Sequence, residues 1–348
     1  MNRLRIAVVG AGHLGRIHAR LLSSVEDVEL VGVVDPVEQV RNRVADEFST
    51  RAFASHIEIV DLVDAAIVAT TTDHHRDVGV DLLNRGIHAL IEKPIARTVL
   101  EADELVAAAS CNNVVLQIGH VERFNAAWQA ATPFIRRPIF IESVRSGGYT
   151  FRSTDIGAVL DLMIHDLDLV LSIVRSNVVE VDAVGTTIFG PHEDMAHAHL
   201  KFANGCVANL NASRTSFQAQ RKMQIVSERA YVGVDFAEQT AKLIRPSKKV
   251  MRREIDVRQL DVEERQRMQH NLFTDLLPVR ELTIEPNNAI FDEHCDFLHC
   301  IRTGDTPRVA GFQARDHLVV AEQILEQIRE APQSKRFQRM SERAKRAA

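Results

Sequence analysis

Apolar and polar residues follow a repeating order in the first third of the chain. Short apolar runs alternate with segments in which apolar residues recur every third or fourth position. The runs predict strands and the periodic segments predict helices. The predicted strands cover 4–9, 28–34, 65–70, 87–91 and 114–118, and the predicted helices cover 13–24, 36–48, 75–85 and 98–110. This alternation predicts an α/β domain, in which helices cover both faces of a parallel sheet.

A different order begins near residue 139, where short strand-like segments follow one another. A run of strands with few helices predicts a largely antiparallel sheet, and Asn204-Gly205 is a typical hairpin turn between two of them. The predicted strands cover 139–145, 180–189, 196–202, 206–213, 223–227, 230–236 and 240–244. The predicted helices cover 156–175, 291–302 and 311–329, and residues 246–285 are interpreted as a loop-rich excursion.

The change of pattern predicts two domains and a tail. With 348 residues the chain is long enough for two hydrophobic cores. We place the first domain at 1–122 and an α+β domain at 123–330, with its late helices packing back on the first domain. Residues 331–348 form a basic tail, which we interpret as a solvated terminal segment rather than a contact for anionic partners.

Composition and charge narrow the function classes. The net charge of −5 gives no reason to expect nucleic-acid binding, and no apolar run approaches the length of a membrane span. The four cysteines form no C-x-x-C pair, which favours a reducing compartment. Because the first residues lead directly into a strand, we expect no signal peptide and a cytoplasmic location.

The turn after the first predicted strand has the sequence Gly10-Ala11-Gly12-His13-Leu14-Gly15. Gly10 allows the tight turn, Gly12 lets a pyrophosphate approach the backbone, and Gly15 lets the helix pack against the strand. The helix N-terminus then presents free N–H groups to the phosphates. Asp35 ends the second strand 20 residues after Gly15, where a carboxylate binds the adenosine ribose. Because this carboxylate repels a 2′-phosphate, we predict NAD rather than NADP as the cofactor.

Three segments meet at the carboxyl edge of the predicted parallel sheet, where such sheets bind ligands: Gly10–Gly15, Thr70–His74 and Glu92–Pro94. In isolation Glu92-Lys93-Pro94 is typical of a solvated turn. At this edge, the Lys93 ammonium is placed to hydrogen-bond a substrate oxygen and to stabilise the charge that develops there. The predicted cofactor contacts are Gly10, Gly12, His13, Leu14, Gly15, Asp35, Thr70, Thr71, His74, Glu92 and Lys93.

Asp161, His165 and Asp168 form a second candidate group. Their spacings of four and three residues put them on one face of the predicted helix 156–175, whose other positions are mainly apolar. A polar stripe on a buried helix needs partners or a pocket. His165 suits a general base near neutral pH, with Asp161 one turn earlier to orient it. The alternative is a hydrogen-bonded core histidine beside a helix-surface acid.

A metal site is a further alternative for this group. Asp161, His165, His197 and His199 are all ligand types, but an Asp-x-x-x-His spacing is not specific for a metal. We therefore predict no metal. His197 and His199 alternate along a predicted strand, where they share its polar face or line a pocket.

Two further segments carry donors for a substrate. Gly119–Asn125 closes the fifth predicted strand and includes Arg123 and Asn125, although a salt-bridged linker between domains has the same composition. Arg145 and Arg152 lie on the next strand and loop. Paired arginines bind a phosphate or carboxylate in bidentate fashion, and ordinary surface charge is the alternative.

The order of these motifs resembles the glucose–fructose oxidoreductase/inositol dehydrogenase/MocA (GFO/IDH/MocA) family. The motifs are the glycine turn, then Glu92-Lys93-Pro94, then Gly157-x-x-x-Asp161-x-x-x-His165-x-x-Asp168, with Ala158 where the family commonly has a second glycine. The resemblance covers the chain to about residue 328. It implies a Rossmann domain and an α+β domain whose open, mostly antiparallel sheet often mediates oligomers. It also implies hydride transfer between a sugar or polyol carbon and the nicotinamide, with Lys93, Asp161 and His165 as catalytic and substrate-binding residues.

A narrower resemblance concerns the substrate. Gly119–Ala126 and Asn288-Ala289 resemble family members that act on UDP-N-acetylglucosamine at C3. This implies a small-molecule nucleotide-sugar substrate, whose diphosphate meets Arg145 or Arg152, and a homo-oligomer, either a dimer or a tetramer. Three other activities stay open: a free polyol or monosaccharide dehydrogenase, an NAD-dependent glycosidase, and a non-catalytic NAD-binding sensor.

Overall fold

The computed structural model describes residues 3–151 and 154–331 and divides the chain into two compact units. Unit 1 comprises the chain up to Arg123, Phe151–Ile164 and Asn288–Leu325, and unit 2 comprises Phe124–Thr150, His165–Asn287 and the chain from Glu326. Unit 1 thus draws on three segments, whereas the hydrophobic pattern predicts a single boundary near residue 122. Arg152 and the predicted tail from residue 332 onward lie outside the described residues.

The strands and helices follow the predicted order closely. The strands are β1 Leu4–Val9, β2 Val28–Val34, β3 Arg51–Phe53, β4 Ala65–Val68, β5 His88–Glu92, β6 Leu116–Gly119, β7 Pro138–Ser146, β8 Val178–Thr186, β9 Met195–Phe202, β10 Val207–Ser213, β11 Gln220–Ser227, β12 Tyr231–Asp235, β13 Thr240–Ile244 and β14 Val279–Glu281. The helices are α1 His13–Leu22, α2 Glu38–Glu47, α3 His75–Asn84, α4 Val99–Cys111, α5 Ala126–Ala131, α6 Ile164–Val174, α7 Lys248–Met251, α8 Val262–His270, α9 Ala289–Thr303 and α10 Gly311–Glu330. The strands β3 and β14 were not predicted, because three residues are too few to show a period.

Unit 1 is built on a parallel sheet of six strands in the order β3-β2-β1-β4-β5-β6. The order reverses between β1 and β4, and a crevice beyond the carboxyl ends of the strands is the usual ligand site at such a point. The predicted glycine turn follows β1 directly. The sheet therefore has the Rossmann arrangement that the sequence predicts.

The core of unit 1 explains why its strands read as unbroken apolar runs. Ile6 and Val8 of β1 are fully buried, as are the central residues of β4 and β5, because helices cover both faces. Phe297 and Leu298 of α9 join the same cluster as Leu22 of α1. The late helix α9 thus packs on this sheet.

Unit 2 is built on an eight-stranded sheet in the order β14-β13-β12-β11-β7-β10-β9-β8. All its neighbouring strands are antiparallel except β7 and β10. Ala198, Leu200 and Leu210 belong to the buried face of this sheet, and the intervening residues of the same strands are partly or fully exposed. This alternation matches the predicted open, mostly antiparallel sheet. We call the second surface, which carries Phe140, Val184 and His197, the open face.

Two predicted segments differ from the structure. The helix predicted over 156–175 begins with a π turn, Val159–Met163, and continues as α6. A π turn leaves no sequence period of its own and often marks a functional site. The predicted loop-rich excursion 246–285 contains α8, which begins with a capping box between Asp261 and Glu264. In the part of the chain that the structure describes, no helix has the length and apolar character needed to cross a membrane.

Candidate active site

The glycine turn forms an open cradle at the start of α1. Gly10 has φ +97°, and a Cβ there would lie 2.5 Å from the carbonyl oxygen of Ala69, so only glycine fits. A Cβ on Gly15 would overlap the carbonyl oxygen of Gly10, whereas one on Gly12 would point into open space. No side chain caps α1 within the described residues, and its first turn contains no acidic residue. The free N–H groups and the helix dipole therefore suit a pyrophosphate.

Asp35 lies beside this cradle at the end of β2. One carboxylate oxygen accepts a hydrogen bond from the N–H of Ala11 (3.0 Å) and the other accepts one from the N–H of Val37 (2.9 Å). Each oxygen has a second lone pair for a ribose hydroxyl. His13 and Leu14 are exposed at the same helix end. The residues present therefore fit the dinucleotide that the sequence predicts.

The segment Thr70–His74 follows β4 at the same edge of the sheet. Thr71 and His74 are exposed and Thr70 is half-buried, as cofactor contacts require. The fully buried residue here is the next one, His75, which was not predicted. Its Nδ1 lies 2.8 Å from the carbonyl oxygen of Pro94, and its Nε2 lies 3.3 Å from that of Thr70. Burial lowers the pKa of His75, although both carbonyl oxygens favour its charged form.

Lys93 and Asp161 form the central pair of the candidate site, and both belong to unit 1. The Nζ of Lys93 donates to Oδ1 of Asp161 (3.0 Å) and to the backbone oxygen of Asp161 (2.9 Å). The side chains are 15% and 19% exposed, so the pair is reached by solvent but largely shielded from it. An ammonium has three donors, and the third is left for a ligand oxygen. The π turn delivers Asp161 to this position.

The sequence predicts that Glu92 contacts the cofactor, whereas its side chain is turned into the interior of unit 1. It is buried, and both carboxylate oxygens have partners inside unit 1: Oε1 lies 2.9 Å from Nε2 of His18, and Oε2 accepts from the N–H of Lys93 (3.2 Å). Gly119 makes room for it on β6, since a Cβ there would lie 3.0 Å from Oε2. We therefore interpret Glu92 as support for Lys93 rather than as a cofactor contact.

His165 and Asp168 occupy the helix after the π turn. His165 is half-buried in the first turn of α6, and Asp168 is fully buried. The Oδ1 of Asp161 accepts from Lys93, and the orientation of His165 by Asp161 stays a prediction. The role of His165 as a base stays a prediction from its place on the helix.

The residues predicted to bind substrate have mainly internal partners. The guanidinium of Arg145 is 4% exposed and binds the buried carboxylate of Asp166 through both Nε and Nη2. Asn125 is buried as the N-cap of α5 and also donates to the backbone oxygen of Phe236. Arg123 is half-buried. The structure thus accounts for Arg145 and Asn125 by packing within unit 2, which the sequence could not show because Asp166 and Phe236 are distant in the chain.

His197 and His199 pair with neighbours on the next strand. The Nδ1 of His197 lies 2.8 Å from Oδ1 of Asn211, and that of His199 lies 2.7 Å from Oδ1 of Asn209. These are cross-strand partners on the open face. The arrangement agrees with a shared polar face rather than with ligands gathered around a metal.

Two buried histidines that sequence reasoning missed support the site. His18 lies on α1 in line with Gly15, Ala19 and Leu22, and His294 lies on α9 in line with Phe297, Leu298 and Ile301. Each occupies a position of the apolar stripe of its helix. A polar residue on such a stripe requires a buried partner, and that signal is present in the sequence.

Comparison with known proteins identifies the family. A family model described as "Oxidoreductase family, NAD-binding Rossmann fold" matches residues 4–120, and the "GFO/IDH/MocA C-terminal domain" model matches residues 117–232. UDP-N-acetylglucosamine 3-dehydrogenase from Acidithiobacillus ferrooxidans is 38% identical over 245 residues, which cover 69% of this chain and 76% of that protein. The scyllo-inositol 2-dehydrogenase (NAD(+)) from Bacillus subtilis is 27% identical over 234 residues, covering 62% and 68%.

Solved structures give the same result. The A. ferrooxidans dehydrogenase superposes with a TM-score of 0.82 at 31% identity, covering 94% of this chain and 98% of that one. An aldose–aldose oxidoreductase from Caulobacter crescentus has a TM-score of 0.78 at 20% identity, covering 94% and 98%, which shows the shared fold. The glycine cradle, the Lys93–Asp161 pair and both matched domains thus belong to one architecture, and the chain is a member of the GFO/IDH/MocA family of NAD-binding oxidoreductases.

Proposed function

We propose that this oxidoreductase is an NAD-dependent dehydrogenase that oxidises the C3 hydroxyl of UDP-N-acetylglucosamine. The observation that carries the proposal is the half-buried Lys93–Asp161 pair at the cofactor edge of unit 1. Such a pair offers one cationic donor to a hydroxyl oxygen and little to other reaction types. The sugar nucleotide is the substrate for which the 38% identical relative from A. ferrooxidans is named.

The cofactor would be held by the glycine cradle and Asp35. When bound, NAD⁺ supplies the hydride acceptor, which the side chains of this protein cannot provide. The N–H groups at the start of α1 bind the diphosphate, and the Asp35 carboxylate accepts from the ribose hydroxyls. Because a 2′-phosphate would face the Asp35 carboxylate, NAD is preferred to NADP.

Lys93 would position the reacting oxygen and stabilise its developing charge. As the hydroxyl proton leaves, negative charge builds up on the oxygen, and it disappears when the hydride has been transferred and the ketone has formed. An ammonium already held by two oxygens of Asp161 needs no reorganisation to donate its third hydrogen there. Asp161 thus fixes the rotamer of Lys93.

His165 would take the hydroxyl proton on a ring nitrogen. Oxidation of an alcohol by hydride removal releases one proton, and a histidine titrates in the range needed to accept it near neutral pH. Its place on the turn after Asp161 supports this role. A Lys93→Met variant should lose roughly a thousandfold in kcat while its Kd for NAD⁺ stays the same.

The substrate side of the proposal rests on fewer residues. Arg145 has its internal partner Asp166, and Arg152 lies outside the described residues. Arg123 is half-buried, unlike the buried Arg145, and a guanidinium binds phosphate oxygens well. We propose that Arg123 binds the diphosphate.

A free polyol or monosaccharide is the second candidate substrate. The supporting observation is the 27% identity to an inositol dehydrogenase. The deciding experiment incubates the protein with NAD⁺ or NADP⁺ and a panel of UDP-sugars, free sugars and inositols. The absorbance of the reduced nicotinamide measures turnover. Reduction with UDP-N-acetylglucosamine and NAD⁺ supports the proposal, with Lys93→Met as the inactive control.

The other outcomes of this panel are equally informative. Reduction only with free polyols replaces the sugar nucleotide by the second candidate. Release of free sugar without accumulated NADH indicates an NAD-dependent glycosidase. Tight NAD⁺ binding without any turnover indicates a sensor and contradicts the proposal.

We further propose that the open face of unit 2 binds a second copy of the chain. Phe140, Val184 and Met195 on this face are 37%, 45% and 40% exposed, an unusual amount of apolar surface for a sheet facing water. Light scattering after size exclusion tests this: Val184→Glu should reduce the molar mass to that of the monomer. The control Val257→Glu, in a loop where the valine is 67% exposed, should leave the mass unchanged.

A cytoplasmic location is also part of the proposal. All four cysteines are free thiols, two buried and two exposed, and a reducing compartment keeps them so. Fractionation of the native cells with an antibody to the chain tests it.

A further inference from the structure

Three buried side chains of unit 1 form a continuous hydrogen-bonded chain behind Lys93. Nε2 of His294 lies 2.7 Å from Nδ1 of His18, and Nε2 of His18 lies 2.9 Å from Oε1 of Glu92. The residues are 1%, 0% and 9% exposed. We call His294, His18 and Glu92 the histidine chain. It connects the helices α9 and α1 with the carboxyl end of the strand β5.

The proton positions along the histidine chain follow from the partners. Burial by itself raises the pKa of Glu92, but the hydrogen bond from His18 and the charge and backbone N–H of Lys93 outweigh this and lower it. Glu92 is therefore a carboxylate, and its oxygens only accept. His18 must then donate from Nε2. The histidine chain thus ends on a negative charge.

His294 completes this assignment. Burial lowers its pKa well below the ordinary value, so His294 is neutral. Its Nδ1 is buried without a partner among the described residues. If Nδ1 carried the proton, an N–H would be left unpaired, which is rare. We therefore assign the proton to Nε2, which donates to His18, and leave only a lone pair at Nδ1.

Such an arrangement is costly for a purely structural purpose. A buried carboxylate loses its hydration, and an apolar core of the same volume is often more stable than a buried charged pair. Glu92 accepts from the backbone N–H of Lys93 through Oε2. The negative charge thus sits one residue from the ammonium that binds Asp161.

The other side of Lys93 is held in the same manner. The buried ring of His75 bonds to the carbonyl oxygen of Pro94, 2.8 Å from its Nδ1. The backbone before and after Lys93 is therefore fixed by buried imidazoles from two different helices. A displacement of about 1 Å at a reacting group costs on the order of a hundredfold in rate.

We infer that His18 is a positioning residue for Lys93, acting through the carboxylate of Glu92 and held in its tautomer by His294. His18 touches neither the reacting atoms nor Lys93 itself. Its donor keeps Glu92 ionised and aimed at the N–H of Lys93, which fixes the start of the lysine side chain. The measurement of kcat rests on the proposed function, whereas the chemical labelling of Lys93 described below does not.

The kinetic experiment uses two substitutions of His18 that differ in one property. His18→Leu removes the donor to Glu92, whereas His18→Gln retains an N–H at nearly the position of Nε2. We expect kcat to fall about 10- to 100-fold in His18→Leu, with the Kd for NAD⁺ changed less than about twofold, and to recover to within a few-fold in His18→Gln. His294→Leu keeps the His18 donor but no longer fixes the tautomer of His18. Its kcat should lie between those of wild type and His18→Leu.

A control variant separates the position of His18 from the loss of a hydrogen-bonded histidine on the same sheet. His88 lies at the opposite end of the same strand, where its Nδ1 accepts from the N–H of Val115. His88→Leu should lower stability and leave kcat unchanged. Equal kcat in His18→Leu and wild type overturns the inference. So does equal impairment of His18→Leu and His18→Gln, as does a loss that appears only in the Kd for NAD⁺.

The chemical experiment needs no substrate. Acetylation of the lysines by an active ester is followed by peptide mass spectrometry, with exposed Lys201 as the internal reference. Lys93, held by Asp161, should react slowly in wild type and several-fold faster in His18→Leu and His294→Leu. Unchanged Lys93 labelling in both variants overturns the inference. If wild type turns over no sugar, the proposed function fails while this labelling still decides the role of His18.

Discussion

The two units bury their carboxylates beside different partners. In unit 1 Glu92 is bonded to His18, an imidazole that is itself bonded to the buried imidazole of His294. In unit 2 Asp166 and Asp194 are bonded to Arg145 and Arg214, which remain charged at any pH at which a protein folds. The guanidinium pairs therefore stabilise the sheet of unit 2 at every pH at which the two carboxylates are ionised. The carboxylate beside Lys93 is instead held by uncharged or backbone donors, and buried histidines stand on both sides of it.

This difference separates acid sensitivity from rigidity. Arginine pairs make a unit insensitive to pH until their carboxylates are protonated. Buried histidines such as His75 and His294, whose pKa is lowered by burial, make a unit sensitive at a much milder acidity. The following experiments test that contrast, beginning with the largest expected effect.

Breaking an arginine pair should cost the most. Arg145→Met leaves Asp166, whose side chain is 3% exposed, as a buried charge without its guanidinium. We expect the free energy of unfolding to fall by about 3–5 kcal/mol, measured by urea titration of the fluorescence of Trp128, which belongs to unit 2. The double variant Arg145→Met/Asp166→Leu should recover most of that loss. A single-variant loss below about 1 kcal/mol would show that the pair is not effectively buried.

Neutralising the carboxylate of the histidine chain should cost less. Glu92→Gln keeps an oxygen for His18 but turns an amide NH₂ toward the N–H of Lys93. Two donors then face each other, and the N–H of Lys93 loses its buried acceptor. A loss of about 1–3 kcal/mol in the free energy of unfolding follows. Hydrogen exchange of β5 amides, read by mass spectrometry, reports it locally. Exchange as slow as in wild type would contradict the assigned hydrogen bonds.

Acidification should weaken unit 1 before unit 2. Burial lowers the pKa of His75 and His294 below the ordinary 6.5, so below about pH 6.5 the unfolded chain takes up protons that the folded chain does not. Stability then falls as pH falls, by at most about 1.4 kcal/mol per pH unit for each histidine. Hydrogen exchange of unit 1 amides at about pH 7.5, 6.5 and 5.5 measures this loss of stability. His294→Leu should make the stability of unit 1 depend less on pH.

Unit 2 supplies the reference for that pH series. Although burial alone raises the pKa of Asp194, the N–H groups of Phe189 and Ile188 and the guanidinium of Arg214 lower it below 3.8. Its stabilisation is therefore present above about pH 4 and is lost only as pH falls through the folded pKa. Trp128 fluorescence should stay constant over the whole series. A simultaneous loss in both units above pH 5 would remove the contrast.

The smallest effect should come from an exposed pair on unit 2. Lys201 and Glu180 lie 2.8 Å apart on neighbouring strands, both about half exposed. Lys201→Ala should change the free energy of unfolding by less than about 1 kcal/mol, and high salt should erase the difference. Because Lys201 lies on the open face, the measurement is made in the monomeric Val184→Glu background, and a larger loss there contradicts the prediction.

The sequence predicted the parts of the site that depend on local pattern. The glycine turn, Asp35 and Lys93 each follow an apolar run, so their place at the sheet edge could be predicted from periodicity. The partners of Arg145 and Glu92 could not, because Asp166 and His18 come from distant elements. Both buried histidines of the histidine chain were visible only as polar residues on apolar helix faces, which indicate a partner without naming it.

The π turn at Val159–Met163 has a consequence for how the site can change through insertions and deletions. One residue of helix corresponds to a rotation of about 100°, so removing a residue such as Leu160 would turn Asp161 away from Lys93 while the residues of α6 kept their phase. No substitution at Asp161 itself would be involved. The reactive geometry is thus encoded partly by a count of residues, and a relative that keeps every motif but lacks this extra residue would hold a differently aimed carboxylate.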